Sequence, residues 1–178
     1  MIHPWHNISI GDNAPSVANA IIEVPLGSTV KYELDKLVGI MRISHVLYPP
    51  VPYPDNYGFF PQTLDEDGDP LDLLVVMRDP VSPLTLCPVR PIGIVNMTDK
   101  GKNDDKIICT LVDDPVYDGY ESFEALPDYE QKELRWFFAE YQRMMHEEVD
   151  VENIGGRDQA HDVIERCIKN YDERFRNE

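Results

Sequence analysis

The chain contains no apolar run approaching the roughly 18 to 20 residues of a membrane-spanning helix. Its N-terminus also has none of the charged-then-apolar patterning of an export signal. These two absences exclude a helical membrane protein and leave a soluble, cytoplasmic protein with no membrane partner as the expectation. Cysteine is scarce: Cys87, Cys109 and Cys167 are odd in number and widely spaced. Two of them sit in strand-like apolar runs, which predicts reduced core thiols rather than a disulfide framework. Neither a zinc site nor a cysteine nucleophile is indicated. The five histidines show no H-E-x-x-H spacing, and there is no glycine-rich Walker loop for a nucleotide. Basic residues are few, 16 against 33 acidic, for a net charge of −17. Such a balance argues against nucleic acid or an anionic surface as partner and makes cations the natural counter-charges. Most of the surplus reads as a solvated surface, so only carboxylates clustered at strand ends concern chemistry.

What is present fits one domain over residues 1–178, long enough for a hydrophobic core. The first two-thirds is cut by proline and glycine at intervals of about ten residues into short β-branched or alternating runs. Strands are predicted over Asn19 to Val24, Thr29 to Leu34, Gly39 to Ile43, Asp72 to Met77, Arg90 to Met97 and Lys106 to Val112. That spacing predicts a small closed barrel. After Leu126-Pro127-Asp128 the period changes, with Leu134, Phe137, Phe138, Tyr141 and Met145 at three- and four-residue steps. This is an amphipathic helix. Glu147 to Glu152 is a candidate last strand, and Asp158 to Phe175 repeats the helical pattern. The fold class is mainly β with flanking helices (α+β).

The densest chemistry is Asp67-Gly68-Asp69-Pro70-Leu71-Asp72, which runs straight into Leu73-Leu74-Val75-Val76-Met77. Carboxylates at the mouth of a buried strand are costly unless paired. Asp67 and Asp69 can share a face, and the turn at Pro70 can bring Asp72 back toward them. A hard divalent cation relieves such repulsion, while an ordinary acidic hairpin turn is the plainer alternative. A calcium loop counted from Asp65 fails, because Pro70 and Val76 stand where glycine and glutamate are required. A second group, Asp99, Asp104 and Lys106, lies between two apolar strands. By itself it would be a solvated loop, but beside the first group it offers further metal ligands and an anion contact. Upstream, Lys31 and Glu33 share a strand face, as a salt-bridge ladder or as part of a site. Prolines stiffen Leu47 to Phe59 and so can hold its tyrosines at fixed points on a pocket wall. Carboxylates, lysines and tyrosines grouped in this way have the parts for phosphate chemistry.

These residues resemble family I soluble inorganic pyrophosphatases, whose signature Asp-x-Asp-Pro-x-Asp plus an aliphatic residue reads here Asp67 to Leu73. Around it, in the family's order, stand Ile22-Glu23-Val24-Pro25, Lys31-Tyr32-Glu33-Leu34-Asp35-Lys36, Tyr53-Pro54-x-Asn56-Tyr57-Gly58, Arg90-Pro91-Ile92-Gly93, Met97-x-Asp99 and Asp104-x-Lys106. The resemblance runs from about Pro4 to Phe175, and the length resembles the short, prokaryotic or archaeal type. It implies an OB-like, five-stranded β-barrel with two C-terminal helices. By position it implies metal ligands at Asp67, Asp72, Asp99 and Asp104, a general base at Asp69 and outer-shell acids at Glu23 and Glu33. Phosphate contacts fall on Lys31, Tyr57, Lys106 and Tyr141. Pyrophosphate is the implied substrate, about three to four Mg²⁺ ions the cofactor, and a homohexamer the assembly. Two Mg²⁺ ions would acidify a shared water while Asp69 accepts its proton, and attack on one phosphorus follows in line.

Two positions depart from the family. His45 stands where a phosphate-binding arginine is usual, and Gln142 follows Tyr141 where lysine is usual. Both lost cations attend the phosphate that leaves first, and each loss should cost on the order of 1.5 to 3 kcal/mol. Arg42 and Arg143 are neighbours, but strand alternation predicts that Arg42 faces away from His45, and helix geometry turns Arg143 about 100° aside. The expectation is therefore a pyrophosphatase with a weakened leaving-phosphate pocket. Alternatives are a hydrolase of an organic diphosphate and a non-catalytic homologue that binds metal and pyrophosphate. If His45 meets phosphate as imidazolium, KM should fall with pH through the histidine range. No chemistry is assigned to Glu152-Asn153-Ile154-Gly155-Gly156.

Overall fold

The computed structural model describes residues 2–48, 50–99, 102–145 and 151–176, apart from the side chains of 98, 99, 141–145 and 151–153. Five strands close on themselves. β1 (Ala18–Val24) is antiparallel to β4 (Asn56–Phe59), and β4 to β5 (Asp72–Val76). β5 runs parallel to β8 (Lys106–Leu111); β8 is antiparallel to β6 (Leu86–Asp99), which returns to β1. β9 (Val151–Gly156) and the two-residue β7 (Lys102–Asn103) extend the sheet from β6. β2 (Val30–Leu34) and β3 (Met41–Val46) form a separate hairpin. The helices are the short α1 (Pro4–Asn7), α2 (Asp128–Met145) and α3 (Arg157–Phe175), with a 3-10 turn at Phe123–Ala125.

Period two explains why β5 after Asp72 and β8 from Ile107 to Cys109 are continuously apolar. Leu73, Val75, Ile107 and Cys109 pack with Ala160, Val163, Ile164 and Cys167 of α3. Leu74, Val76 and Ile108 pack with Leu134, Phe137 and Phe138 of α2 and with Tyr53 and Tyr57. Both faces are covered, so neither strand alternates with polar residues. All three cysteines are free and buried.

The barrel's composition differs from the sequence reading: the strands predicted at Thr29 to Leu34 and Gly39 to Ile43 form the separate hairpin, and β4 takes a place in the barrel. β4 was not predicted, because Asn-Tyr-Gly-Phe is short and carries two residues poor in strand propensity. Its glycine is required: a Cβ on Gly58 would lie 2.0 Å from the Ile21 carbonyl oxygen. Thus the residue that hides the strand from propensity is the one that lets β4 lie against β1. β3 begins and ends later than predicted, and the last strand is Val151–Gly156; of the predicted Glu147 to Glu152, residues 147–150 lie outside the described residues.

Candidate active site

The acidic loop is a tight backbone device that delivers carboxylates to the mouth of β5. Gly68 takes φ +95°, in the left-handed region. Around it Gly68 N donates to Asp65 O at 3.1 Å and Asp65 N to Asp69 O at 2.8 Å. Asp69 N donates to Asp67 Oδ1 at 2.9 Å. Beyond Pro70, the buried Leu71 is tied down by its N–H to Thr63 Oγ1 at 2.9 Å, so Asp72 enters the strand in a fixed pose.

Parallel pairing of β5 with β8 sets Asp72 directly beside Lys106. The Lys106 ammonium lies 2.6 Å from Asp72 Oδ2 and also contacts Asp104 Oδ1. Burial alone would depress its pKa, but Asp72 and then Asp104 hold it above the usual lysine range. Tyr57 donates its hydroxyl to Asp72. Burial, and then the charge of Asp72, keep that phenol well above its ordinary pKa and therefore neutral. Tyr53 packs edge-on behind it, ring centroids 5.4 Å apart. Of the tyrosines in the proline-rich stretch, Tyr57 alone lines the cavity described next; Tyr53 is core and Tyr48 is exposed.

A cavity of about 140 Å³ opens here, lined by the acids Glu23, Glu33, Asp69 and Asp72, by Tyr57, and by the cations Lys31, Lys36 and Arg42. Glu23 is buried, accepts a 2.7 Å hydrogen bond from Leu34 N, and is pushed up to about 8 by burial first and Asp72 second. Asp67 adjoins the group electrostatically: burial, and then the charges of Asp69, Asp72 and Asp104, raise it to about 6. Half-burial would raise Glu33, but Ser44, Lys31 and Arg42 together bring it below the usual range.

Two lining cations escaped the sequence reading. Lys36 contacts Asp69 Oδ1, a meeting created by the hairpin turn that no local spacing announces. Arg42 was expected to face away from His45, and the structure corrects this. In the hairpin Lys31 lies opposite His45 and Glu33 opposite Arg42, with Tyr32 opposite Ile43 and a register shift between. The extra residue is Ser44. A bulge shifts alternation by one, so Arg42 and His45 occupy the same face. Arg42 Nη2 lies 3.2 Å from Glu33 Oε2. His45 is not among the cavity-lining residues. Its Nδ1 is 3.2 Å from Ser44 Oγ and its buried Nε2 has no partner among the described residues. Burial, and then Lys31, lower its pKa against the opposing pull of Glu33, so the ring is neutral at neutral pH.

Asp99 ends β6, and Tyr141 and Gln142 lie on α2, but their side chains, like that of Arg143, are outside the described residues. Among the described residues no three acidic, histidine or cysteine side chains are close enough together to hold one metal ion as they stand. Lys106 and Lys36 sit against the carboxylates instead. The donor set is nevertheless all oxygen, and Asp67 is raised by burial first and then by the like charges of Asp69, Asp72 and Asp104. That combination fits a hard divalent cation.

Comparison with known proteins gives a consistent result. Residues 20–172 match the family described as inorganic pyrophosphatase. The chain is 43% identical over 173 residues to soluble inorganic pyrophosphatase 2 of Chlamydomonas reinhardtii, covering 97% of this chain and 90% of that one. It is also 43% identical over 171 residues to soluble inorganic pyrophosphatase 1 of Arabidopsis thaliana, covering 96% and 81%. These relatives are algal and plant proteins rather than prokaryotic ones. The inorganic pyrophosphatase of Thermus thermophilus superposes with a TM-score of 0.85 at 35% identity, covering 92% of this chain and 96% of that structure.

Proposed function

The chain belongs to the inorganic pyrophosphatase family and cleaves pyrophosphate into two phosphates; on that premise we propose that Asp69 is its general base and Mg²⁺ its divalent cofactor. The observation that carries this reading is the convergence at one barrel end of Asp69, Asp72, Lys31 and Tyr57, with Lys106 beside Asp72. Asp67, Asp72, Asp99 and Asp104 would hold about three to four Mg²⁺ ions. When bound, these supply Lewis-acid charge that makes a water more acidic and offsets charge on the phosphates. Asp69 accepts the water's proton, and Lys36 orients its carboxylate. Lys31, Lys106, Tyr57 and Tyr141 contact phosphate oxygens, while Glu23 and Glu33 support the surrounding shell. Positioning and fixed charge account for most of the acceleration.

The reading takes residues 1–178 as one domain, acting in the cytoplasm without nucleic acid or membrane. Among the described residues no helix is long and apolar enough to cross a bilayer. Self-association as a homohexamer has support in the hairpin's reverse face and tip, where Leu37, Val38, Ile40, Ile43 and Val46 are all exposed. Phosphate release from pyrophosphate in millimolar Mg²⁺, run beside Asp69→Asn, tests the catalytic assignment. Release by the parent and its collapse in the variant are expected, and equal release by both would overturn Asp69 as the base.

A further inference from the structure

The hairpin carries its charge on one face because of the bulge. Lys31, Glu33 and Arg42 stand together there, and Glu33 lies between the two cations, with Lys31 Nζ at 3.8 Å and Arg42 Nη2 at 3.2 Å. We infer that Arg42 is the guanidinium that binds a phosphate group of the substrate in this cavity, taking the role that position 45 leaves unfilled. This rests on the reading of the cavity as the phosphate site. Several observations carry it together. Arg42 is the one arginine among the described residues lining the cavity. Its side chain is 61% exposed, so the end of the guanidinium that does not meet Glu33 is open to an incoming anion. Of the other lining cations, Lys36 is held against Asp69 and Lys31 is an ammonium, so Arg42 alone brings a forked donor to the cavity beside the phosphate contacts already assigned to Lys31 and Lys106. His45, by contrast, turns Nδ1 to Ser44, lines no part of the cavity and is neutral at neutral pH.

The plain alternative is a surface ion pair between Arg42 and Glu33. Such pairs contribute little to stability and bind nothing. The two readings separate cleanly, because only a ligand-binding arginine changes affinity for phosphate. Guanidinium geometry matters as well, since its planar fork engages phosphate through paired N–H donors and an ammonium acts only as a point charge.

The test measures binding of inorganic phosphate by calorimetry, together with kcat and KM for pyrophosphate, on the parent, Arg42→Gln and Arg42→Lys. Lys169→Gln, which removes a surface cation paired with Glu173, serves as the control for charge alone. Thermal melts check that each variant folds. Arg42→Gln is expected to weaken phosphate binding and raise KM by about ten- to a hundredfold. Arg42→Lys should recover part of the loss, and Lys169→Gln should match the parent. Phosphate affinity and KM in Arg42→Gln within about twofold of the parent would overturn the inference, as would equal losses in Lys169→Gln. A parent that releases no phosphate from pyrophosphate, yet binds phosphate through Arg42, would remove the hydrolase reading and keep this one. Normal turnover that is indifferent to Arg42 would do the reverse.

Discussion

Asp69 and Asp55 are both acids in turns that lead toward barrel strands, and their surroundings give them opposite uses. Asp69 lines the cavity in contact with Lys36. Replacing it with asparagine keeps the shape and removes proton acceptance, so kcat should fall about 10²- to 10⁴-fold with KM changed far less; a pure KM effect in steady-state kinetics would remove it from the base's role. Asp55 is buried, and burial first, then the charges of Glu130 and Glu133, push its pKa up to about 8, against a hydrogen bond from the Met77 N–H. Below the unfolded value of about 3.8 both states hold the proton and Asp55 contributes nothing to pH dependence. Between there and pH 8 the unfolded chain releases its proton first, so folding stability falls as pH rises. Each unit of displacement is worth about 1.4 kcal/mol, making the burden at pH 8 on the order of a few kcal/mol. Asp55→Asn retains an acceptor for Met77 and removes the charge. Its melting temperature should exceed the parent's at pH 8 and approach it at pH 5, and a gap that does not grow with pH would contradict a buried carboxyl there. For His45 the lowered pKa reverses the earlier expectation: any slope of KM between about pH 6.5 and 8 should survive in His45→Gln, since the ring is already neutral across that window.

Elements differ in how far their neighbours define them, and so in how plainly they can be read from sequence. β1, β5, β8, α2 and α3 announce themselves because their apolar spacing is a local property matched to what covers them. The acid motif was equally plain, since its carboxylates are adjacent in the chain. β4 was not, because its fitness lies in the Gly58 approach to Ile21 rather than in its own propensity. Arg42 was misjudged for the same reason. Alternation along β3 is a local rule, and the extra residue at Ser44 exists only in the register with β2. Lys36 reaches Asp69 across 33 positions of sequence, which no spacing within either segment specifies. Gly58→Ala tests the β4 argument. A methyl group 2.0 Å from a backbone oxygen forces β1 and β4 apart, and Tyr57 beside it would shift from Asp72. A loss on the order of 2 to 4 kcal/mol in urea unfolding, with reduced activity in the fraction that remains folded, is expected. Parental stability would mean that the two strands do not meet as described.

For the molecule as a whole, a charge of −17 must coexist with a substrate that is itself a polyanion. Clustered carboxylates at the barrel mouth repel one another and the substrate alike, and at Asp67 this repulsion adds to the larger effect of burial in raising the carboxyl. Salt of any kind screens the exposed charges over about 10 Å at 0.1 M, whereas an ion held by the carboxylates binds the folded state and stabilises it by an amount that grows with the logarithm of its concentration above Kd. At a hundredfold excess over Kd the linkage is worth about 2.7 kcal/mol. A domain of this size gains about 2 to 4 °C for each kcal/mol, so the expected rise is roughly 5 to 10 °C. Melting curves in MgCl₂ and in NaCl of matched ionic strength separate the two contributions. The Mg²⁺ curve should lie higher by that amount, chelation should return it to the NaCl curve, and Asp72→Asn should close most of the difference. Identical curves would show that the acidic loop, Asp72 and Asp104 are balanced by Lys36 and Lys106 alone, and that the divalent ion enters only with the substrate.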